Sequence, residues 1–302
     1  MKEYKNKKIG ITGYKGYLGS ALYHKLKKID CDLTCIDVDV SNKKEMKKKL
    51  GKKKFDIIFH LAASQSYWKK NQNVNDIILE RETNSSSILY FYDLFKNSDT
   101  KMVFTSSTNV YGDVENDTVD ENTITNPQSL WSSHKILAEN YLNILFKNSM
   151  ILRIPNIFGV NDDMVENNIS DDVVFRPIIN RVMKYGTKDG FLKLYKNKDC
   201  LRDYLFIDDL IDALLLAGIH DGDENYYVLG GFDGQKNTIS KVWDMLSDLL
   251  KLPIQYNGKD LKKMEMRSYI ANYDKFKELT GWNPQYTVMR GIFTTHVNLS
   301  KR

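Results

Sequence analysis

The sequence predicts an α/β fold in which a doubly wound parallel sheet is joined to a smaller mixed α/β domain. Three observations predict it. The chain has 302 residues, enough to bury a full core in one large or two moderate domains. Short apolar runs without strict alternation, such as Phe55-Asp56-Ile57-Ile58-Phe59-His60-Leu61-Ala62-Ala63, suit strands covered on both faces. Those runs alternate with helix-length segments, the order expected of βαβ units.

The first element is the strand Lys8-Ile9-Gly10-Ile11, which runs into Thr12-Gly13-Tyr14-Lys15-Gly16-Tyr17-Leu18-Gly19 before Ser20-Ala21-Leu22 continues as a helix. A dinucleotide site needs this order. Gly13 permits the tight turn, Gly16 admits a pyrophosphate close to the backbone, and Gly19 lets helix and strand pack closely. Tyr17 and Leu18, at the helix start, belong to the same candidate cofactor-binding stretch. The helix N-terminus adds N–H groups and a partial positive charge. A spaced-glycine loop alone is weak evidence, because glycines also serve ordinary turns.

The next strand strengthens it. Leu33-Thr34-Cys35-Ile36 ends at Asp37, 24 residues after Gly13, where an acid hydrogen-bonds the adenosine ribose. A carboxylate there repels a 2′-phosphate, so NAD is expected over NADP. A strand-end aspartate is common in turns; strand, loop, helix, strand and acid in series outweigh that reading. Asp39 and Val40 follow and are expected against the adenine. The small residues after Leu61, Ala62 and Ala63, leave room for a cofactor to lie across the strand end. A helix is expected over much of Asp76 to Lys96, then a strand Lys101-Met102-Val103-Phe104-Thr105. The first domain is therefore expected to be Rossmann-type.

Composition narrows the class. Hydrophobic residues make up 42% and charged residues 27%, ordinary for a soluble globular chain. The best apolar stretch, Leu210 to Ile219, is short and interrupted by Asp212, so no membrane span is expected. No apolar core follows the N-terminal residues, and no secretory signal is expected. Cys31, Cys35 and Cys200 show no metal-ligand clustering, which suits a reducing, cytoplasmic setting without a metal. The net charge is only +5, and the run Lys43, Lys44, Lys47, Lys48, Lys49, Lys52, Lys53, Lys54 comes without a nucleic-acid motif. A solvated helix face is the expected role, with no nucleic-acid partner.

Taken jointly, Thr12-Gly13-x-x-Gly16-x-x-Gly19, His60-Leu61-Ala62-Ala63, Asn84 and Phe104-Thr105-Ser106-Ser107-Thr108-Asn109-Val110-Tyr111-Gly112 resemble the extended short-chain dehydrogenase/reductases, in their nucleotide-sugar epimerase/dehydratase branch. The likeness continues through Arg153-Ile154-Pro155-Asn156-Ile157-Phe158-Gly159, Arg202-Asp203-Tyr204-Leu205-Phe206-Ile207-Asp208-Asp209, Gly281-Trp282-Asn283-Pro284 and Gly291-Ile292. It implies an NAD-binding Rossmann domain over 1–155, with later segments returning to it, and a mainly nucleotide-sugar-binding domain over 156–302. It also implies that Asn84 belongs to the cofactor site.

In the family a Ser or Thr, a Tyr and a Lys surround the nicotinamide. Ser107 matches the first, with Thr108 beside it as a substrate contact, and Lys135 matches the lysine, which also serves the cofactor. The tyrosine position is Trp131. Spacing of four puts 131 and 135 on one helix face. A phenol made acidic by a nearby ammonium acts as a general base, whereas an indole N–H only donates a hydrogen bond. The proton carrier is then another group: His134, Tyr111, Ser107 relayed through Lys135, or water. His134 is the first to test, although helix histidines are as often merely packed. Alternatively solvent supplies the proton of a reduction, or the protein binds without turnover. Relatives that dehydrate or decarboxylate carry an acid shortly after the Ser/Thr; Thr108-Asn109 here disfavours both.

On the substrate side the resemblance implies that Asn156 and Arg202 bind the nucleotide diphosphate, with Arg267 as a third candidate. Guanidinium forks suit phosphate. Asp208-Asp209 is expected to cap a helix, and Tyr226-Tyr227-Val228 to be a strand of the substrate domain. Leu137, Tyr141, Leu142 and Leu145 recur at helical spacing, and relatives pair this helix with its neighbour in a homodimer. The function implied is an NAD-dependent redox enzyme acting at a ring carbon of a nucleotide-diphosphate sugar, C4 foremost, as epimerase, keto-sugar reductase or dehydrogenase. The rival is a non-catalytic NAD- and nucleotide-sugar-binding protein.

Overall fold

The computed structural model describes residues 2–64, 72–194, 196–222, 226–232, 236–256 and 268–302. It divides into two units. The first comprises Met1–Val110, Pro127–Arg153 and Leu214–Tyr227, and the second Tyr111–Asn126, Ile154–Ala213 and Val228–Arg302. The Arg153–Ile154 break lies beside residue 155; Leu214–Tyr227 returns to the first unit, and Tyr111–Asn126 belongs to the second.

The first unit is a doubly wound parallel sheet. In chain order it holds β1 (Lys8–Thr12), α1 (Tyr17–Lys27), β2 (Asp32–Ile36), α2 (Lys43–Leu50), β3 (Ile57–His60), α3 (Val74–Arg81), α4 (Ser87–Phe95), β4 (Lys101–Ser107), α5 (Leu130–Leu145), β5 (Ser149–Ile154) and β6 (Tyr227–Val228). The strand order is β6-β5-β4-β3-β1-β2. β1 pairs in parallel with β2 on one side and β3 on the other, and β3 with β4. The chain thus reverses its direction of travel between β1 and β3, the switch point where open α/β sheets bind ligands.

β3 is fully buried, as its apolar run predicts, yet it stops at His60. The amides of Leu61 and Ala62 leave the ladder and donate to Thr12 Oγ1 at 3.1 and 3.0 Å. α2 turns Met46 and Leu50 into the core with Ile36, Phe55 and Ile58, while its lysines stay exposed, a solvated face in which Lys49 pairs with Glu45. The helix expected over Asp76 to Lys96 is interrupted by a π-helical turn, Glu82–Ser86. Ser85 and Ser87 hydroxyls donate to the carbonyls of Arg81 and Thr83 there, competing with the regular ladder.

Tyr226-Tyr227-Val228 departs in part from the expectation of a strand in the substrate domain: Tyr227–Val228 edges the large sheet, with Tyr226 and Tyr227 counted in the first unit and Val228 in the second. The preceding segment is pinned to the first unit. Tyr4 OH donates to Leu215 O at 2.5 Å, and the Lys101 ammonium bonds His220 O and Asp221 Oδ1.

Among its described residues the second unit contains three short parallel ribbons: Asn156–Phe158 with Tyr204–Phe206, Leu192–Leu194 with Ile254–Tyr256, and Thr118–Val119 with Ile270–Ala271. The last draws 111–126 into this unit. Asp208 and Asp209 differ from the capping expectation. Asp208 accepts from Asn161 Nδ2 at 2.7 Å, and Asp209 accepts the amides of Gln285 and Tyr286 at 2.9 and 3.0 Å, so both tie distant segments.

Candidate active site

The glycine loop sits at the switch point, and its residues are there for steric reasons. Gly13 has φ +66°, and a Cβ on it would lie 2.7 Å from Ala62 N. A Cβ on Gly19 would overlap the carbonyl oxygen of Gly13, so α1 packs on the loop only with glycine there. Gly16 caps α1 and offers no side chain to occupy its first-turn N–H groups. The cradle therefore fits a pyrophosphate on geometry alone.

Thr12 fastens the cradle to β3. Besides accepting from Leu61 and Ala62, its hydroxyl lies 2.9 Å from His60 Nδ1. His60 Nε2 lies 3.1 Å from Ser87 Oγ, which donates to Thr83 O at 2.7 Å. One arrangement of protons satisfies the row: Thr12 O–H to Nδ1, Nε2–H to Ser87, and Ser87 O–H to the carbonyl. The ring is neutral. Burial, with the Lys135 charge adding, pushes its pKa down to about 3. Asn84 locks the other side of the same loop, accepting from Ser64 N at 2.8 Å and donating to Ser64 O at 2.7 Å. Both ends of its amide thus hold the chain just past Ala63.

At the end of β2, Asp37 is exposed, and Lys15 Nζ lies 3.2 Å from each of its carboxylate oxygens. Both side chains are largely in water, so the pair exchanges readily for ribose hydroxyls. Asp39 accepts from the backbone and hydroxyl of Ser41, and Val40 is buried in the core rather than turned outward.

α5 supplies the remaining first-unit candidates. Ser129 and Ser132 form a reciprocal capping box at its start. Three residues four apart then face β4. Lys135 Nζ donates to Thr105 O at 2.7 Å and lies 4.4 Å from the Phe104 ring centroid and 4.8 Å from that of Trp131. Glu139 accepts from Ser106 Oγ at 2.5 Å and from Arg153 Nε and Nη2 at 3.1 and 2.6 Å. The Arg153 guanidinium in turn stacks on Tyr226, 3.4 Å from its ring centroid. Lys135 is 3% exposed, and burial pulls its pKa down to about 7 against the opposing pull of Glu139. Ser107 ends β4, partly exposed, with its hydroxyl accepting from Asn109 N at 3.2 Å; Thr108 beside it is buried.

His134 faces elsewhere. Its Nδ1 lies 3.6 Å from Glu80 Oε1 of α3, and burial lowers its pKa while Glu80 opposes that shift. Tyr111 belongs to the second unit, where its buried phenol donates to Asp120 O at 2.6 Å.

The model of the NAD-dependent epimerase/dehydratase family matches residues 9–230, which span the glycine loop, Ser107, α5 and Asn156. The chain belongs to the NAD-dependent epimerase/dehydratase family. Among curated relatives, it is 20% identical to the dTDP-4-dehydro-6-deoxyglucose reductase of Escherichia coli, over 93% of this chain and 94% of that protein. Among solved structures, the UDP-glucose 4-epimerase of Thermotoga maritima with UDP-glucose superposes with a TM-score of 0.83 at 20% identity, covering 97% of this chain and 98% of that one. The Helicobacter pylori ADP-L-glycero-D-manno-heptose-6-epimerase gives a TM-score of 0.82 at 19% identity, covering 99% and 98%.

For a member of this family, the second unit brings two expected phosphate contacts to one ribbon end. Asn156 pairs in register with Tyr204 and donates from Nδ2 to Asp203 O at 3.2 Å, while Arg202 Nη1 donates to Leu201 O at 2.9 Å. Arg267 lies outside the described residues. Among the described residues no group of His, Cys, Asp and Glu could hold a metal ion, and no helix is long and apolar enough to cross a membrane. Sequence reasoning assigned no role to Thr12, Glu80, Glu139 or Lys15. Glu139 had a signal, lying four residues beyond Lys135 on the face set by Trp131; Glu80 had none.

Proposed function

We propose that this family member is an NAD-dependent redox enzyme acting on a ring carbon, C4 foremost, of a nucleotide-diphosphate sugar. Epimerisation, keto-sugar reduction and alcohol oxidation are the reactions it suits. The carrying observation is that α5 directs Lys135 at β4 two residues before Ser107, in the unit that also holds the glycine cradle. NAD, when bound in that cradle by Gly13, Gly16, Gly19 and Asp37, supplies a hydride acceptor.

Ser107 holds the reacting hydroxyl by hydrogen bonding, and Asn156 and Arg202 take the diphosphate oxygens. The positions after Ser107 are Thr108-Asn109, neither of which is an acid, so elimination of water and decarboxylation are disfavoured. Kinship with named 4-epimerases and a 4-keto-sugar reductase supports the ring-carbon reading. Trp131, which cannot shuttle a proton, favours a second reading, a protein that holds NAD and a nucleotide sugar without turnover.

Incubation with NAD or NADH and a panel of nucleotide-diphosphate sugars, including 4-keto-sugars, separates the two when products are read by mass spectrometry and NMR. The enzyme reading expects either a mass change of about two hydrogens, the size of one hydride-plus-proton transfer, or an isomer of unchanged mass. Binding of both ligands with no new product across the panel supports the second reading instead.

A further inference from the structure

We propose that Lys135 is itself the acid–base group of this enzyme, exchanging a proton with the sugar hydroxyl held by Ser107 in the role that the indole at 131 cannot fill. The proposal rests on the redox reading above and specifies how its proton moves.

Placement is the first support. The Trp131–Lys135–Glu139 stripe of α5 faces β4, and Lys135 Nζ sits on Thr105 O, two residues before Ser107. At about 3.3 Å of rise per residue the two levels are roughly 7 Å apart along the strand. Two hydrogen bonds of about 3 Å each through one hydroxyl oxygen span about 6 Å, and the flexible four-carbon stem of lysine makes up the remainder. A neutral amine still has an N–H for Thr105 O and turns its lone pair to the substrate.

The surroundings are the second support. The rings of Phe104 and Trp131 flank Nζ and neither takes a proton. The ionisable groups nearby are fixed by other partners. Glu139, one turn along α5, is tied to Arg153 of β5 and to Ser106. His60 of β3 is neutral and bonded at both nitrogens. His134 faces Glu80 on α3 rather than β4. With burial pulling Lys135 to about 7, amine and ammonium are both populated at neutral pH.

The step is a proton transfer. The sugar O–H bond breaks, its electron pair stays on oxygen, and the proton bonds to the Nζ lone pair. In the reducing direction the ammonium returns it.

Two readouts test this on the full chain saturated with NAD. In ¹⁵Nζ-lysine NMR from pH 5.5 to 9.5, one resonance should titrate near neutrality in the wild type and be missing from Lys135→Arg. In single turnovers with the nucleotide-sugar panel, Lys135→Arg keeps the positive charge but cannot give up its proton. It should slow hydride transfer at least ~100-fold, the usual size of a general-base contribution, while NAD affinity changes less than ~10-fold.

The proposal is overturned if every lysine titrates above pH 9, if Lys135→Arg reacts within ~3-fold of wild type, or if His134→Gln rather than Lys135→Arg removes the inflection near neutrality from the pH dependence of the single-turnover rate. Failure of the redox reading looks different: no sugar would change, whatever the lysine resonances do, and the catalytic role would fall with it.

Discussion

Thr12→Val tests the device that fastens the glycine cradle to β3. Valine keeps the shape and leaves no cavity, so the effect isolates the hydroxyl. Three hydrogen bonds meet at it: the one it donates to His60 Nδ1 at 2.9 Å and the two it accepts from Leu61 N at 3.1 Å and Ala62 N at 3.0 Å. At about 1 kcal/mol net each, their loss costs about 3 kcal/mol, rising toward about 6 because the partners left behind are buried or half-buried. Urea unfolding gives the stability, through the midpoint at constant slope. Amide hydrogen exchange gives the location: Leu61 and Ala62 should exchange roughly a hundredfold faster, since 1.4 kcal/mol is tenfold. NAD should bind more weakly, because the wall opposite Gly13 is no longer held. A stability loss below about 0.5 kcal/mol, within the range of an ordinary surface substitution, with unchanged exchange at both amides, would refute this reasoning.

Other perturbations follow from the same geometry. Asp37→Ala should weaken NAD while improving NADP relative to it, because the carboxylate that repels a 2′-phosphate is gone and Lys15 remains beside the site; titration of both dinucleotides checks this, and native NADP preference would contradict it. Glu139→Leu should destabilise by about 3–5 kcal/mol in denaturant, by stranding buried Arg153, and Arg153→Met added to it should recover part of that loss. Acid should act oppositely on the two units. His60 has its folded pKa lowered to about 3 from 6.5, so its contribution is present above 6.5 and lost as pH falls below it. Asp203 and Asp209 have theirs raised by burial to about 6, so the folded form binds protons first and gains stability as pH falls through 6 toward 3.8. Exchange followed from pH 7 to 5 should therefore show protection falling in the sheet unit before the other.

Much of the first unit was legible because its signals are local. Gly19 is demanded by the backbone of Gly13 six residues earlier and Gly13 by its own positive φ, and Asp37 follows from strand length after them. The end of β3 was not legible, because it is set by Thr12, distant in sequence, taking the amides of Leu61 and Ala62. The π turn at Glu82–Ser86 was read as regular helix, since serine back-bonding leaves no mark in hydrophobic periodicity. The sheet that Tyr227–Val228 joins was not legible for a similar reason. A two-residue strand has too few side chains to show which sheet it edges.

Within the site, the helix spacing that put Trp131 and Lys135 together was readable, and so was the chemical gap left by the indole. The directions of the neighbouring side chains were not. His134 stands next to Lys135 in sequence but a hundred degrees around the helix, which turns it to Glu80. Tyr111 is among the alternative proton carriers, yet its phenol donates to Asp120 O. Both outcomes depend on the third dimension of packing, which no single-sequence pattern carries.

The central claim, that this family member moves hydride to and from a nucleotide-diphosphate sugar, is tested most directly by the 340 nm absorbance of the protein-bound dinucleotide. The protein is loaded with NAD or NADH and mixed with the panel of nucleotide sugars and 4-keto-sugars. At least one sugar should reduce bound NAD, or one keto-sugar oxidise bound NADH, with an equivalent amount of sugar converted. Bound cofactor that never interconverts with any member of the panel, with no sugar converted to an isomer and both ligands demonstrably bound, would contradict it.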